Sequence, residues 1–232
     1  MVAFITQHRM IKYVCHFVYT GGCILHVYKY FGCLQYLFKP EKYQRNMIIS
    51  YYGPNASGKT TFAKCEAVEL AKQGNKIAFL DSENGFSVDR IKQIAGNDYK
   101  NCLDNILVFK IKSFKEQQEA IKNLEKIKNK ISLVIVDSFN SYYRRLFNSK
   151  PALAKSMLNS QLKILEKLNI RVILTNQVFD NLNGEVTGVG SYFTDKVSDE
   201  IIELKKEPRK WINKKTKEEK GFEIISSGIF WI

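Results

Sequence analysis

The chain has 232 residues, of which 36 are Lys or Arg and 23 are Asp or Glu, so it carries a net charge of +13. A hydrophobic content of 45% excludes a disordered or low-complexity chain, and the length suits one α/β domain or two small domains. The positive charge indicates a polyanionic partner, and nucleic acid, a phosphate ligand or a membrane surface would each satisfy it.

Residues 1–46 differ in composition from the rest of the chain. They carry a net charge of +5 and a single acidic residue, Glu41, and residues 13–38 are mostly apolar and aromatic. The uncharged run 13–28 is shorter than the about 20 residues that a membrane-spanning helix needs. We interpret this segment as an accessory extension, or as an over-extended start before a functional protein that begins at Met47. Two alternatives stay open, a membrane-associated segment and a metal or partner-docking element.

The cysteine pattern indicates a reducing compartment. The cysteines are odd in number and form no C-x-x-C pair, which is not typical of a disulfide framework. They are Cys15, Cys23, Cys33, Cys65 and Cys102. The docking alternative for the N-terminal segment would use Cys15, His16, Cys23, His26 and Cys33, although their spacing matches no familiar zinc finger. We expect a cytoplasmic protein with no membrane contact unless residues 13–38 insert.

After Met47, predicted strands alternate with predicted helices. Apolar, β-prone runs predict strands at 47–52, 76–80, 106–111, 131–136 and 170–175, with strand-like stretches near 201–205 and 222–226. Helical periodicity and capping residues predict helices at 59–73, 87–95, 113–130 and 151–168. This alternation predicts an α/β fold with a mostly parallel central sheet flanked by helices, followed by C-terminal antiparallel strands.

A phosphate-binding loop lies between the first predicted strand and the first predicted helix. Residues 53–60, GPNASGKT, satisfy the P-loop (Walker A) pattern G-x-x-x-x-G-K-[ST] in the context that this motif requires. Its glycines allow backbone N–H groups to face phosphates, Lys59 can reach the β and γ phosphates, and the Thr60 hydroxyl can ligate Mg²⁺. The predicted ATP-binding residues are Gly53, Pro54, Asn55, Ala56, Ser57, Gly58, Lys59, Thr60 and Thr61.

Three further polar residues follow predicted strands, at the edge where parallel sheets bind ligands. Asp137 ends the run 131–136 and fits a Walker B residue that holds Mg²⁺; a cap or turn formed with Ser138 is the alternative. Glu83 could orient or deprotonate an attacking water, with Asp81 as its competitor for that role. Gln177 could hydrogen-bond the γ-phosphate, or could be an ordinary polar strand end.

Short motifs in chain order resemble the RecA/RadA recombinase superfamily, and most closely its archaeal RadB branch. They are GPNASGKTT at 53–61, DSE at 81–83 with GF at 85–86, VIVDS at 134–138, YYR at 142–144, ALA at 152–154 and TNQV at 175–178. The resemblance covers residues 47–230 and implies a RecA-like ATPase domain at 47–232. It implies that Glu83 is the catalytic glutamate, that Gln177 is the γ-phosphate sensor, and that the segments after Asp137 and Gln177 face DNA.

The resemblance also implies a function and shows three departures from a full recombinase. RadB-like proteins are recombination and repair accessory factors that bind DNA and ATP with Mg²⁺, associate with a RadA-like recombinase and hydrolyse ATP weakly. Residues 1–46 are too few and too aromatic for a helical DNA-binding domain and contain no F-x-x-A sequence, and the loop 179–190 is short. These departures favour a recombinase paralogue over a filament-forming recombinase.

Two basic features are candidates for binding single-stranded or branched DNA without sequence preference. Arg144 and Arg145 follow Tyr142 and Tyr143, and residues 205–220 hold eight basic and three acidic side chains around Trp211. The predicted contact residues are Arg144, Arg145, Lys205, Lys206, Arg209 and Lys210. The alternatives are a solvated hairpin tip for the second feature and core positions for the two tyrosines.

Three functions are compatible with these residues. The first is an ATP- and DNA-binding recombination accessory protein with weak ATP hydrolysis, either DNA-dependent or DNA-independent. The second is a KaiC-like or other RecA-core ATPase that acts in signalling. The third is a nucleotide-gated, non-hydrolysing adaptor for a recombinase.

Overall fold

The computed structural model describes residues 46–180, 186–187 and 191–232. The N-terminal segment, with its three interpretations and its Cys and His residues, lies outside the described residues, and so does most of the loop that follows Gln177. The described helices are α1 (Lys59–Lys72), α2 (Val88–Ala95), α3 (Tyr99–Asn105), α4 (Phe114–Ile127), α5 (Ser141–Ser149), α6 (Pro151–Lys167) and α7 (Ser191–Val197).

The strands of the described residues are β1 (Ile48–Gly53), β2 (Ile77–Asp81), β3 (Ile106–Lys110), β4 (Leu133–Asp137), β5 (Arg171–Gln177), β6 (Phe179–Asp180), β7 (Val186–Thr187), β8 (Glu200–Lys206), β9 (Arg209–Asn213), β10 (Glu219–Ile225) and β11 (Gly228–Trp231). Within the described ranges, nine of them form one sheet in the order β11-β10-β9-β8-β1-β5-β4-β2-β3. The neighbours from β8 to β3 pair in parallel, and β8 to β11 pair antiparallel. This arrangement confirms the predicted fold class, including the antiparallel C-terminal strands.

The central strands are apolar because helices cover both of their faces. All five residues of β4 are buried, and successive residues along a strand point to opposite faces. On one face the core is shared with α1, α2 and α3, whereas on the other it is shared with α4, α5 and α6. The apolar run 133–136 in the sequence therefore has a direct structural cause.

Several elements were not predicted from the sequence. Helices α3 and α5 and strands β9 and β11 are short, and β9 carries the charged sequence RKWIN. β9 forms because both of its neighbours supply hydrogen-bonding edges, which a local pattern cannot indicate. Among the described helices, none has both the length and the apolarity of a membrane span. The predicted domain boundary near Met47 stays a prediction.

The topology brings the sequence motifs to a single edge of the sheet. Strands β1, β5, β4 and β2 are consecutive in the parallel part of the sheet, so their carboxyl ends lie along one edge. The strand register aligns Asp81 with Asp137 and Gly53 with Gln177. β8 also runs parallel to β1, so the turn that follows β8 lies at the same edge as the P-loop.

Candidate functional site

Glycine is required at two positions of the P-loop for different reasons. A side-chain Cβ at Gly53 would lie 2.3 Å from the Leu204 carbonyl oxygen of β8, a distance at which the two backbones could not coexist. Gly58 has a φ of +110°, in the left-handed region, and immediately precedes α1. The loop therefore turns tightly against β8 and delivers its backbone to the N-terminus of a helix, as a phosphate cradle requires.

Lys59 lies at the start of α1 with its amine turned back over the loop. The Nζ atom donates hydrogen bonds to the carbonyl oxygens of Gly53, at 2.8 Å, and Pro54, at 2.9 Å. Burial lowers the pKa of Lys59 to about 8, while the nearby carboxylates of Asp137 and Glu83 oppose this shift. The amine is thus held at the mouth of the loop, where a triphosphate would favour its charged form.

Thr60 and Asp137 place a hydroxyl oxygen and a carboxylate close together beside the loop. The hydroxyl groups of Thr60, at 3.2 Å, and of Thr175 both donate to Asp137 Oδ1. Burial raises the pKa of Asp137, and these two hydrogen bonds counteract the rise. The N-cap of α5 is Asn140 and not Asp137, and residues 138–140 form a turn directly after Asp137, so of the predicted alternative only the turn with Ser138 is present.

This pair fits a magnesium ion. Hydroxyl and carboxylate oxygens are ligands that Mg²⁺ prefers, usually alongside substrate phosphates and water. A Cβ at Gly85 would stand 3.6 Å from Asp137 Oδ2 and 3.7 Å from the Thr60 methyl carbon, so glycine keeps the space next to these ligands open. Asp137 Oδ2 faces that space while Oδ1 is occupied by the two hydroxyls.

Asp81 and Glu83, the two candidates for the carboxylate that activates a water, have different environments. Asp81 is buried, and its oxygens accept hydrogen bonds from the backbone N–H groups of Gly85, at 2.9 Å, and Phe86, at 3.0 Å. It therefore shapes the turn after β2. Glu83 lies on that turn and is exposed, and its two oxygens accept from Gln177 Nε2 at 2.7 and 2.8 Å. The geometry leaves Glu83 as the carboxylate that a water could reach.

Gln177 is contacted from three sides. Its backbone N–H donates to Asn140 Oδ1 at 3.1 Å, and its carbonyl oxygen accepts from Asn140 Nδ2 at 3.0 Å. Its side-chain oxygen accepts from Arg144 Nη2 at 2.9 Å, while its side-chain nitrogen contacts Glu83. Sequence reasoning missed the parts played by Asn140 and Thr175. Thr175 could have been found as the polar residue just before the strand end, whereas Asn140 carries no local signal.

The structure separates the two arginines that were predicted together as DNA contacts. Arg144 is half-buried and turned to Gln177, whereas Arg145 is exposed, with its guanidinium carbon 5.3 Å from the ring centre of Tyr142. Tyr143 is a core residue, in accordance with the alternative for that position. Tyr142 is partly buried and donates its hydroxyl to the Ile111 carbonyl oxygen.

The basic run 205–220 lies at two separate turns, which are at opposite ends of the antiparallel strands β8, β9 and β10. The predicted contacts Lys205, Lys206, Arg209 and Lys210 lie around the β8–β9 turn, and the later lysines lie around the β9–β10 turn. Arg209 donates to the carbonyl oxygen of Ala56 in the P-loop at 3.0 Å. The β8–β9 turn therefore contacts the phosphate-binding loop, which the hairpin-tip alternative did not anticipate.

Acidic neighbours engage part of this basic run. Lys206 pairs with Glu207 at 3.4 Å, and Lys210 pairs with Glu219 at 3.3 Å. Trp211, which lies within the run, is buried against Trp231 with the ring centres 6.1 Å apart. The basic residues that lie close together in the sequence at 205–220 therefore form a positive surface that is only partly continuous.

Known proteins match this chain in both sequence and structure. A family model described as Rad51 matches residues 42–229. The chain is 34% identical over 175 residues to the DNA repair and recombination protein RadB of Methanobrevibacter smithii, covering 70% of this chain and 74% of the relative. It is 38% identical over 149 residues to the protein of the same description from Methanocaldococcus jannaschii, covering 61% and 70%. A solved structure described as the RadB recombinase superposes with a TM-score of 0.66 at 31% identity, covering 80% of this chain and 90% of that one.

Proposed function

The chain belongs to the Rad51 family and is a RadB-type member of the RecA superfamily, and on that premise we propose that it is an ATP- and DNA-binding accessory protein of DNA repair and recombination that hydrolyses ATP slowly. The observation that carries the proposal is the convergence of the P-loop, Asp137, Glu83 and Gln177 at the carboxyl edge of the parallel strands. Relatives described as DNA repair and recombination proteins support the biological role.

The nucleotide chemistry rests on residues with separate tasks. Lys59 supplies positive charge to the β and γ phosphates, and Thr60 and Asp137 would hold Mg²⁺, which when bound neutralises charge on the phosphate oxygens. Glu83 orients the attacking water and accepts its proton, and Gln177 contacts the γ-phosphate. Both Glu83 oxygens accept from Gln177 here, so an attacking water would share this carboxylate with the amide. That competition supports slow turnover.

DNA binding is proposed for the exposed cations at the same end of the sheet. Lys205 and Lys206 are exposed at the β8–β9 turn, and Arg145 is exposed beside the Tyr142 ring, a combination of charge and aromatic surface suited to single strands. Lys210, Arg209 and Arg144 complete the predicted set, although the last two also contact the nucleotide site. Lysine and arginine contacts to phosphate carry no sequence preference, so we propose non-specific binding to single-stranded or branched DNA.

The partner and compartment follow from the same role. An accessory factor of this family would act with a RadA-like recombinase in the cytoplasm. The second candidate function, a nucleotide-gated adaptor that does not turn over ATP, is favoured by the contact of Gln177 with both oxygens of Glu83, which competes with a water for this carboxylate. Turnover separates the two functions, because an adaptor needs ATP binding alone.

The proposal is tested by combining turnover with DNA binding on the full chain. Lys59→Ala should abolish ATP binding, and Glu83→Gln should retain binding and lose hydrolysis, measured by phosphate release. Lys205→Glu with Lys206→Glu should weaken single-strand binding at least about tenfold at low salt, because each reversal adds repulsion to a phosphate contact. The matched control is Lys122→Glu with Lys126→Glu, two exposed lysines of α4. Equal DNA affinity for both charge-reversed proteins would refute the DNA surface, and full hydrolysis by Glu83→Gln would refute the assigned base.

A further inference from the structure

Gln177 lies between a group that can only donate hydrogen bonds and a group that can only accept them. Its side-chain oxygen accepts from Arg144 Nη2 at 2.9 Å, and its side-chain nitrogen donates to both oxygens of Glu83. A guanidinium has no acceptor and an ionised carboxylate has no donor. The orientation of the amide is therefore determined by chemistry, with its oxygen on Arg144 and its nitrogen towards Glu83.

The backbone of Gln177 is fixed independently of its side chain. Asn140 accepts from the Gln177 N–H and donates to its carbonyl oxygen, and Asn140 is itself 1% exposed. Only the side chain is thus left to move between Glu83 and a phosphate. The direction in which the amide presents its N–H groups then depends on the group that holds its oxygen, which is Arg144.

From this arrangement we infer that Arg144 is a positioning residue of the nucleotide site that acts through Gln177. Its guanidinium keeps the amide N–H groups of Gln177 directed at Glu83 and the adjoining γ-phosphate position. Without that donor, the amide could turn its oxygen towards a phosphate, which would repel it. This inference rests on the proposed ATP site and assigns to Arg144 a task other than the DNA contact predicted from the sequence.

The surroundings of Arg144 are consistent with a task inside the site. Arg144 comes from the first half of α5 and is half-buried, whereas the next residue, Arg145, is exposed on the outside of the same helix. Burial lowers the pKa of Arg144, and the nearby Glu83 carboxylate opposes that shift. The guanidinium is thus shielded from solvent and paired with the candidate sensor, while its neighbour remains available to a polyanion.

The test is a double-mutant cycle read out by nucleotide binding in the absence of DNA. The measured quantity is the ratio of the Kd for ADP to the Kd for the slowly hydrolysed analogue ATPγS, by calorimetry on the full chain. Arg144→Met, which keeps the apolar stem, should lower this ratio on the order of tenfold, the effect of one lost hydrogen bond to a charged group. In a Gln177→Ala background the same substitution should change the ratio by less than about twofold, because coupled residues are not additive.

Four further measurements separate positioning from a general structural effect. Arg144→Lys, which retains a donor and no acceptor, should recover part of the discrimination. Arg144→Gln supplies a second version of the cycle should Arg144→Met fail to fold. Lys150→Ala, at an exposed cation directly after α5, should leave the ratio unchanged. In steady-state hydrolysis, Arg144→Met should raise the KM for ATP about as much as it raises the Kd for ATPγS, because KM equals Kd when the chemical step is slow.

Different outcomes would overturn the role inferred for Arg144 and the proposed function on which that role rests. An equal loss of discrimination with and without Gln177, or a defect that appears only with DNA, would overturn the role of Arg144 alone. A wild-type chain that binds neither nucleotide would overturn the proposed ATP site and, with it, this inference.

Discussion

The protonation of Lys59 predicts that ATP binding weakens as the pH rises through about 8. The phosphates require the charged amine, and burial lowers its pKa to about 8. Because the pKa is depressed, the proton is present well below pH 8 and is lost above it, so the sign of the effect is a loss of affinity at high pH. At pH 9 only about one molecule in eleven carries the charge, which weakens the apparent affinity roughly tenfold relative to the fully protonated protein.

Two assays on the full chain check this prediction. The Kd for ATPγS should be nearly constant from pH 6.5 to 7.5 and should rise about tenfold for each further pH unit above about 8. Calorimetry at pH 8.5 in buffers of different ionisation enthalpy should detect the uptake of up to about 0.8 proton per nucleotide, because binding restores the charge of the amine.

The control for this prediction is Lys59→Arg, whose guanidinium does not titrate in this range. That variant should bind ATPγS with an affinity that is independent of pH between 7 and 9.5, whatever its absolute strength. A wild-type affinity that stays constant over this range would refute the assigned pKa. A slope that persists in Lys59→Arg would show that another group titrates, and would refute Lys59 as the cause of the pH dependence.

Three further predictions follow from single contacts. Glu66→Ala should destabilise the protein by about 3–5 kcal/mol in urea denaturation, because Arg171, 2.9 Å away and 4% exposed, and the Tyr51 hydroxyl would lose the carboxylate that pairs with them; replacing Glu66 with Leu and Arg171 with Met should recover only the part of the loss that is due to Arg171. Arg209→Ala should weaken ATP binding a few-fold without DNA, since it frees the carbonyl of Ala56, and an unchanged Kd would contradict this coupling. Gly53→Ala should abolish ATP binding and cost about 1–3 kcal/mol of stability, because its Cβ would meet a β8 carbonyl at 2.3 Å; a stable variant that binds ATP would refute the close approach.

Much of the fold was predictable because local patterns and the parallel topology agree. Short apolar runs between amphipathic helices are typical of parallel strands that are buried on both faces, and the predicted α/β class is confirmed. The polar residues that end β2, β4 and β5 were predicted to meet because parallel strands share one carboxyl edge. The short elements α3, α5, β9 and β11 escaped prediction because their stability comes from neighbours distant in the sequence.

The sequence by itself determined the P-loop, the order of strands and helices, and the identity of the residues at the edge of the sheet, since each depends on local pattern or on a motif. Only the tertiary structure decided which groups contact one another there. It turned Arg144 to Gln177 and Arg145 outwards, although the two are adjacent and chemically identical. It also divided one basic run between two turns and brought Arg209 to Ala56, 153 positions away. The physical reason is that charge and hydrogen-bond partners are set by distances in space, and those depend on strand order and helix rotation, which no window of sequence contains.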